Sequence, residues 1–146
     1  MKQTRQFSRE PESVGAARRF ATQALSDTPS EVLDAVELMV SELATNCIRY
    51  AGTTFAVTVA QSDGEIRVEV TDRAGGTPTM RLSGPDALSG RGLQIVNLLA
   101  QAWGVEHRTA TSTTVWFTVA DLSRAARHSR EADEPVGRSP HPAASR

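Results

Sequence analysis

Thr54-Phe55-Ala56-Val57-Thr58-Val59-Ala60-Gln61-Ser62-Asp63-Gly64-Glu65-Ile66-Arg67-Val68-Glu69-Val70-Thr71-Asp72 is the stretch whose period decides the fold. Phe55, Val57 and Val59 alternate with Thr54, Ala56 and Thr58. Ile66, Val68 and Val70 alternate with Arg67, Glu69 and Thr71. Alternation of this kind sends the two sets to opposite faces of a strand. Between the runs, Asp63-Gly64 is a pair that accepts positive φ, which a tight hairpin turn needs. The stretch is therefore a β-hairpin with one apolar and one wetter face, and its apolar face needs a cover.

The flanking sequence supplies the cover. Val14, Ala17, Phe20, Ala21, Ala24 and Leu25 recur at helical spacing and predict a helix over 13–25. Asp27-Thr28-Pro29-Ser30 breaks the chain, and Ser30 is an N-cap for a second helix to about residue 50. Its inward stripe is Leu33, Val36, Val40, Leu43 and Cys47, and Gly52 ends it. After the hairpin, 73–90 is a long loop rich in Gly and Pro, and loops of that length are usually functional. Residues 92–101 form a third helix with Leu93, Val96, Leu99 and Ala100 inward. Residues 105–109 and 113–119 close the fold as a second hairpin, and a short strand over 5–8 precedes the helices. Trp103 and Trp116 are assigned to the core, and Cys47 to a small buried position. The expected fold is α+β: a two-layer sandwich of a mixed, mostly antiparallel sheet with three helices on one face.

The chain has 146 residues, one domain's worth, with 39% hydrophobic residues. The domain is expected over 1–120. Residues 121–146 form a polar tail of disordered composition. Deleting 131–146 should leave the melting temperature within about a degree or two, as surface changes do; a larger loss in a thermal melt would show that the tail docks. Sixteen basic residues against 17 acidic give a net charge of -1 with no basic stripe, which argues against nucleic-acid binding. One cysteine excludes an intramolecular disulfide and a zinc site of paired cysteines. No run is long and apolar enough to span a membrane and the N-terminus carries no signal-peptide pattern, so a cytoplasmic location is expected.

Four groups of residues can carry chemistry. Glu42 and Asn46, four apart, stack on one helix face with Arg49 close by. A carboxylate beside an amide oxygen suits magnesium and phosphate chemistry. Asp72 closes a strand and is followed by Gly75-Gly76; such a carboxylate accepts from an exocyclic amine, and glycines let a flat base approach. Ser89-Gly90-Arg91-Gly92-Leu93 leads into the third helix, where free amides make an anion site. Ser112-Thr113-Thr114 brings hydroxyls to the last strand. Singly, each also fits an ordinary solvated helix face, turn, loop exit or Thr-rich strand. His107, His128 and His141 make no metal or triad pattern.

Taken in order, Glu-x3-Asn on a helix, Asp before glycines, Gly-x-Gly-Leu into a helix and a Thr-rich strand resemble the four boxes of the GHKL (histidine kinase-like) ATPase family. The resemblance covers about residues 30–120. Within that family, the run Gly90-Arg91-Gly92-Leu93-Gln94-Ile95-Val96 and the ending Thr114-Val115-Trp116-Phe117 look most like bacterial anti-sigma-factor serine/threonine kinases. The resemblance implies the Bergerat ATP-binding fold with ATP and Mg2+ as cofactors. It implies Asn46 as the magnesium ligand, Glu42 as catalytic base, and Arg49 and Tyr50 beside the nucleotide. Asp72 would bind adenine, with Gly76 in the adenine loop and Thr113 beside the base. Gly90, Arg91, Gly92 and Leu93 would form the phosphate loop, and 77–89 a lid. It further implies a sigma factor and an anti-anti-sigma antagonist with a serine phosphoacceptor as partners, and a homodimer. The chain departs from the pattern at Ala74, Ser112 and Cys47, where the family carries Gly, Gly and Ala. A nucleotide-binding regulator that sequesters a partner without catalysis is the alternative. A histidine kinase catalytic domain is disfavoured, since no heptad helix carries a phosphoacceptor His.

Overall fold

A computed structural model describes residues 1–73 and 87–122 of the chain, with the backbone alone at 87–91. Strand β1 (Lys2–Phe7) is followed by helices α1 (Glu12–Ala24) and α2 (Ser30–Asn46). A π-helical turn, Cys47–Ala51, extends α2. Strands β2 (Phe55–Ser62) and β3 (Glu65–Asp72), helix α3 (Ala87–Leu99), and strands β4 (Ala102–Thr109) and β5 (Ser112–Ala120) complete the order. The five strands form one sheet in the order β1-β2-β3-β5-β4, antiparallel at every pairing.

The central hairpin turns where the sequence places it. Asp63 has φ 49° and Gly64 φ 79°, so both turn positions are left-handed, and Ser62 pairs with Glu65 across them. Phe55, Val57, Val59, Ile66, Val68 and Val70 are all buried under the helices. Fully burying such side chains contributes roughly 1.5–3 kcal/mol each. From above they meet Ala17, Ala21 and Leu25, and the α2 stripe Val36, Met39, Val40, Leu43, Ala44 and Cys47. Leu33 and Phe20 pack half-buried at the margin. Phe7 stacks on Phe55 with ring centroids 5.5 Å apart and takes the edge of Phe20 at 5.9 Å.

Several expectations are corrected. The α-helical geometry of α2 ends at Asn46, and the π turn spends one extra residue before Gly52 stops it at φ 61°. Helix α3 begins at residue 87 rather than 92, so Gly90, Arg91 and Gly92 lie inside it rather than in a loop ahead of it. Leu99 is 41% exposed and Leu98 80% exposed, so the inward residue near that end is Val96. Trp103 does pack on the core, with Nε1–H donating to Asn97 Oδ1 at 3.0 Å. Trp116 does not: it lies on the face opposite the helices, over Gly104, with the Arg67 guanidinium 4.3 Å from its ring centroid. A Cβ at Gly104 would stand 2.8 Å from Trp116 Nε1, so only glycine admits the ring there. Arg67 and Arg108 also bridge Glu69 and Glu106 across β3, β5 and β4.

Candidate active site

One row of residues crosses the whole sheet at one end. Phe7 pairs with Phe55, Phe55 with Asp72, Asp72 with Thr113, and Thr113 with His107. By the alternation of the strands this row faces the helices. Asp72 is 3% exposed and Thr113 is 2% exposed. A carboxylate and a hydroxyl thus sit side by side at the mouth of the core, an acceptor next to a donor-acceptor. The strand register brings Asp72 and Thr113 together.

The C-terminal end of α2 is held at the same end of the sheet. Only residues 52–54 separate the π turn from Phe55, the cross-strand partner of Asp72. Three residues span at most about 10–11 Å. Asn46, the last α-helical residue, is half-buried and packs on α3. A Cβ built on Gly92 would lie 2.8 Å from Asn46 Nδ2, 3.6 Å from Cγ and 3.7 Å from Oδ1. The amide therefore fills the space that any side chain at 92 would occupy. Gly92 is buried and Leu93 half-buried beside it. Helix α3 tolerates a glycine that costs about 1 kcal/mol against alanine because this contact requires it.

Glu42 lies one turn before Asn46 on α2 and is half-buried. Among the described residues it makes no salt bridge. In the π turn, Arg49 is exposed and Tyr50 half-buried. Single π turns inside helices occur often at functional sites; this one buries Cys47 and leaves Arg49 exposed.

Gly76 and Ala74 lie outside the described residues, as do 77–86 of the expected lid, while 87–89 are helical. The start of α3 changes the expected role of Gly90 and Gly92. Gly92 shapes a close packing contact within the helix rather than a loop of free amides. His107 joins this row without any sign of it in the spacing. It is exposed and stands next to Thr113 in the Asp72 row. Among the described residues no cluster of three His, Cys, Asp or Glu could hold a metal by itself. A magnesium site here would need a ligand's own phosphates beside Asn46, as magnesium sites at nucleotides commonly do.

No curated protein matches the chain in sequence. Among solved structures, the RsbU and RsbW domains of Rv1364c from Mycobacterium tuberculosis align at TM-score 0.64 and 17% identity, over 82% of this chain and 32% of that one. The match thus spans about a third of that solved chain, and the likeness shows a common fold. Residues 7–119 match the family model of the histidine kinase-like ATPase domain. That span holds Glu42, Asn46, Asp72, Gly92 and Thr113, and the chain belongs to the histidine kinase-like ATPase domain family.

Proposed function

We propose that this chain is an ATP-dependent serine/threonine protein kinase of the anti-sigma-factor type, acting in the cytoplasm as a homodimer. Its substrate is a seryl hydroxyl on an antagonist protein, and it binds a sigma factor in exchange. The observation that carries the reading is the pairing of two features on α2: Asn46 seated on Gly92, and, one turn before it, a Glu42 that makes no salt bridge among the described residues. The resemblance to the anti-sigma kinases supplies the partner class, and the RsbW domain of the structural neighbour agrees with it.

The residues fit a nucleotide. Asp72 offers a buried acceptor where an adenine amine donates, and Thr113 lies beside it. Asn46 would hold magnesium through its amide oxygen, and Arg49 and Tyr50 would flank the nucleotide. Bound magnesium supplies neutralisation of the phosphate charge. Glu42 orients the attacking seryl hydroxyl and takes its proton, work suited to a carboxylate with no cationic partner among the described residues.

Selectivity at Asp72 is the test of the binding half. Guanine presents a carbonyl where adenine presents an amine, and an unpaired buried polar group costs about 1–3 kcal/mol. Titration of labelled ATP and GTP should give roughly ten- to a hundredfold preference for ATP, and Asp72→Ala should lose it. Equal affinity for the two nucleotides, or unchanged ATP affinity in the variant, would remove Asp72 from the site.

A further inference from the structure

The face of the sheet opposite the helices carries a pocket of about 350 Å3 at the same end as Asp72. Gln6, Thr71, Arg73, Thr109, Thr111 and Ser112 line it, over the small side chain of Ala56. Its position follows from the alternation of β3. Asp72 faces the helices, so Thr71 faces the other side, where its Oγ1 shares a 2.7 Å hydrogen bond with Thr114 Oγ1.

The lining pairs one guanidinium with hydroxyl and amide groups. Every polar side chain in it can donate a hydrogen bond, and among the described residues no carboxylate lines it. The Arg73 guanidinium makes no ion pair among the described residues. Farther up the same face, Glu69 and Glu106 are held by Arg67 and Arg108, so their charge is already answered. The hydroxyls are ordered before any ligand arrives. Thr109 Oγ1 lies 3.0 Å from Ser112 Oγ and 3.3 Å from Thr111 Oγ1, and accepts from the Thr111 N–H at 3.2 Å. A cation finds no carboxylate among the described lining residues, and an apolar ligand would cover the exposed Arg73 guanidinium.

We infer that this pocket is an oxyanion site for a phosphate group, separate from the nucleotide site and on the other side of the sheet. Arg73 supplies the charge, and the hydroxyl cluster of the β4–β5 turn supplies donors from a second direction. A tetrahedral anion uses donors from several directions, which a flat carboxylate does not. A free phosphate and one carried on a phosphorylated side chain present the same recognition chemistry. The inference does not depend on the kinase reading.

The test is a titration of the full chain, followed by backbone amide NMR shifts. Inorganic phosphate and N-acetyl-O-phosphoserine amide are the two probes, with sodium chloride at matched ionic strength as control. Saturable shifts are expected at Arg73, Thr111 and Ser112, absent with chloride. They should persist in Asn46→Ala, which separates this pocket from any phosphate bound between α2 and α3. Arg73→Gln, at an exposed position, should weaken binding about ten- to a hundredfold, and Thr111→Val should weaken it without altering the fold. Tighter binding of the phosphoserine amide names a phosphorylated side chain as the source; tighter binding of inorganic phosphate names the free ion. Non-saturating shifts, equal affinity in Arg73→Gln, or shifts confined to α2 and α3 that vanish in Asn46→Ala would overturn the inference, whatever the outcome for ATP.

Discussion

Glu42→Ala should slow phosphate transfer to the antagonist by roughly 10²–10⁴-fold, the usual cost of losing a general base, while ATP affinity stays level or rises slightly. The sign of the second effect is the informative part. Glu42 is half-buried one turn before Asn46, and no cation among the described residues offsets its charge. A carboxylate so placed repels phosphate oxygens, so removing it relieves the bound nucleotide even as it removes the proton acceptor. Asn46→Ala should behave differently and weaken magnesium-ATP binding as well as turnover. If both positions were only solvated helix surface, each change would stay within about 0.5 kcal/mol. Nucleotide affinity by titration and transfer rate by label incorporation, measured for both variants, distinguish these cases. Transfer by Glu42→Ala at the wild-type rate would remove Glu42 from the role of base.

Gly92→Ala should reproduce the Asn46→Ala defect without destabilising the protein. The added Cβ would stand 2.8 Å from Asn46 Nδ2, a separation that real contacts do not hold. What must give way is the end of the Asn46 side chain, because both helix backbones are fixed by the core beneath them. Alanine in place of glycine inside a helix gains about 1 kcal/mol of propensity, which offsets the local crowding. The melting temperature should therefore hold or rise, while magnesium-ATP affinity falls about ten- to a hundredfold, the scale of a lost contact of 1–3 kcal/mol to a charged group. The double variant should be no worse than Asn46→Ala alone, since residues in contact do not add independently. Full additivity of the two losses would show that Gly92 acts through something other than Asn46.

Much of this arrangement is legible in the residues because it depends on local pattern. The 54–72 hairpin, the α2 stripe and the Gly52 stop rest on period and turn chemistry, and strand pairing then sets Asp72 beside Thr113. What escapes the sequence depends on tertiary contact. Glycines at 90 and 92 read as the exit of a loop, yet α3 runs through them, because the packing of Asn46 on Gly92 cannot be seen from spacing. His107 is hidden by a bulge. Thr109 pairs with Ser112, and a regular ladder would set Arg108 opposite Thr113. The register shift between His107 and Thr109 brings His107 there instead. Trp116 reads as core by its bulk, but alternation from Thr113 through Val115 to Phe117 puts it on the other face, where Arg67 covers it. The extra residue of the π turn leaves no mark in the pattern of apolar positions.

The measurement that bears most directly on the proposed activity is intact mass after incubation with magnesium-ATP and each candidate antagonist from the same genome. The expected result is one added phosphate on a single antagonist, located on a serine, formed by the wild type and lost in Glu42→Ala. A wild-type protein that binds ATP and its partner, yet leaves the partner's mass unchanged, would contradict it and establish a sequestering regulator instead.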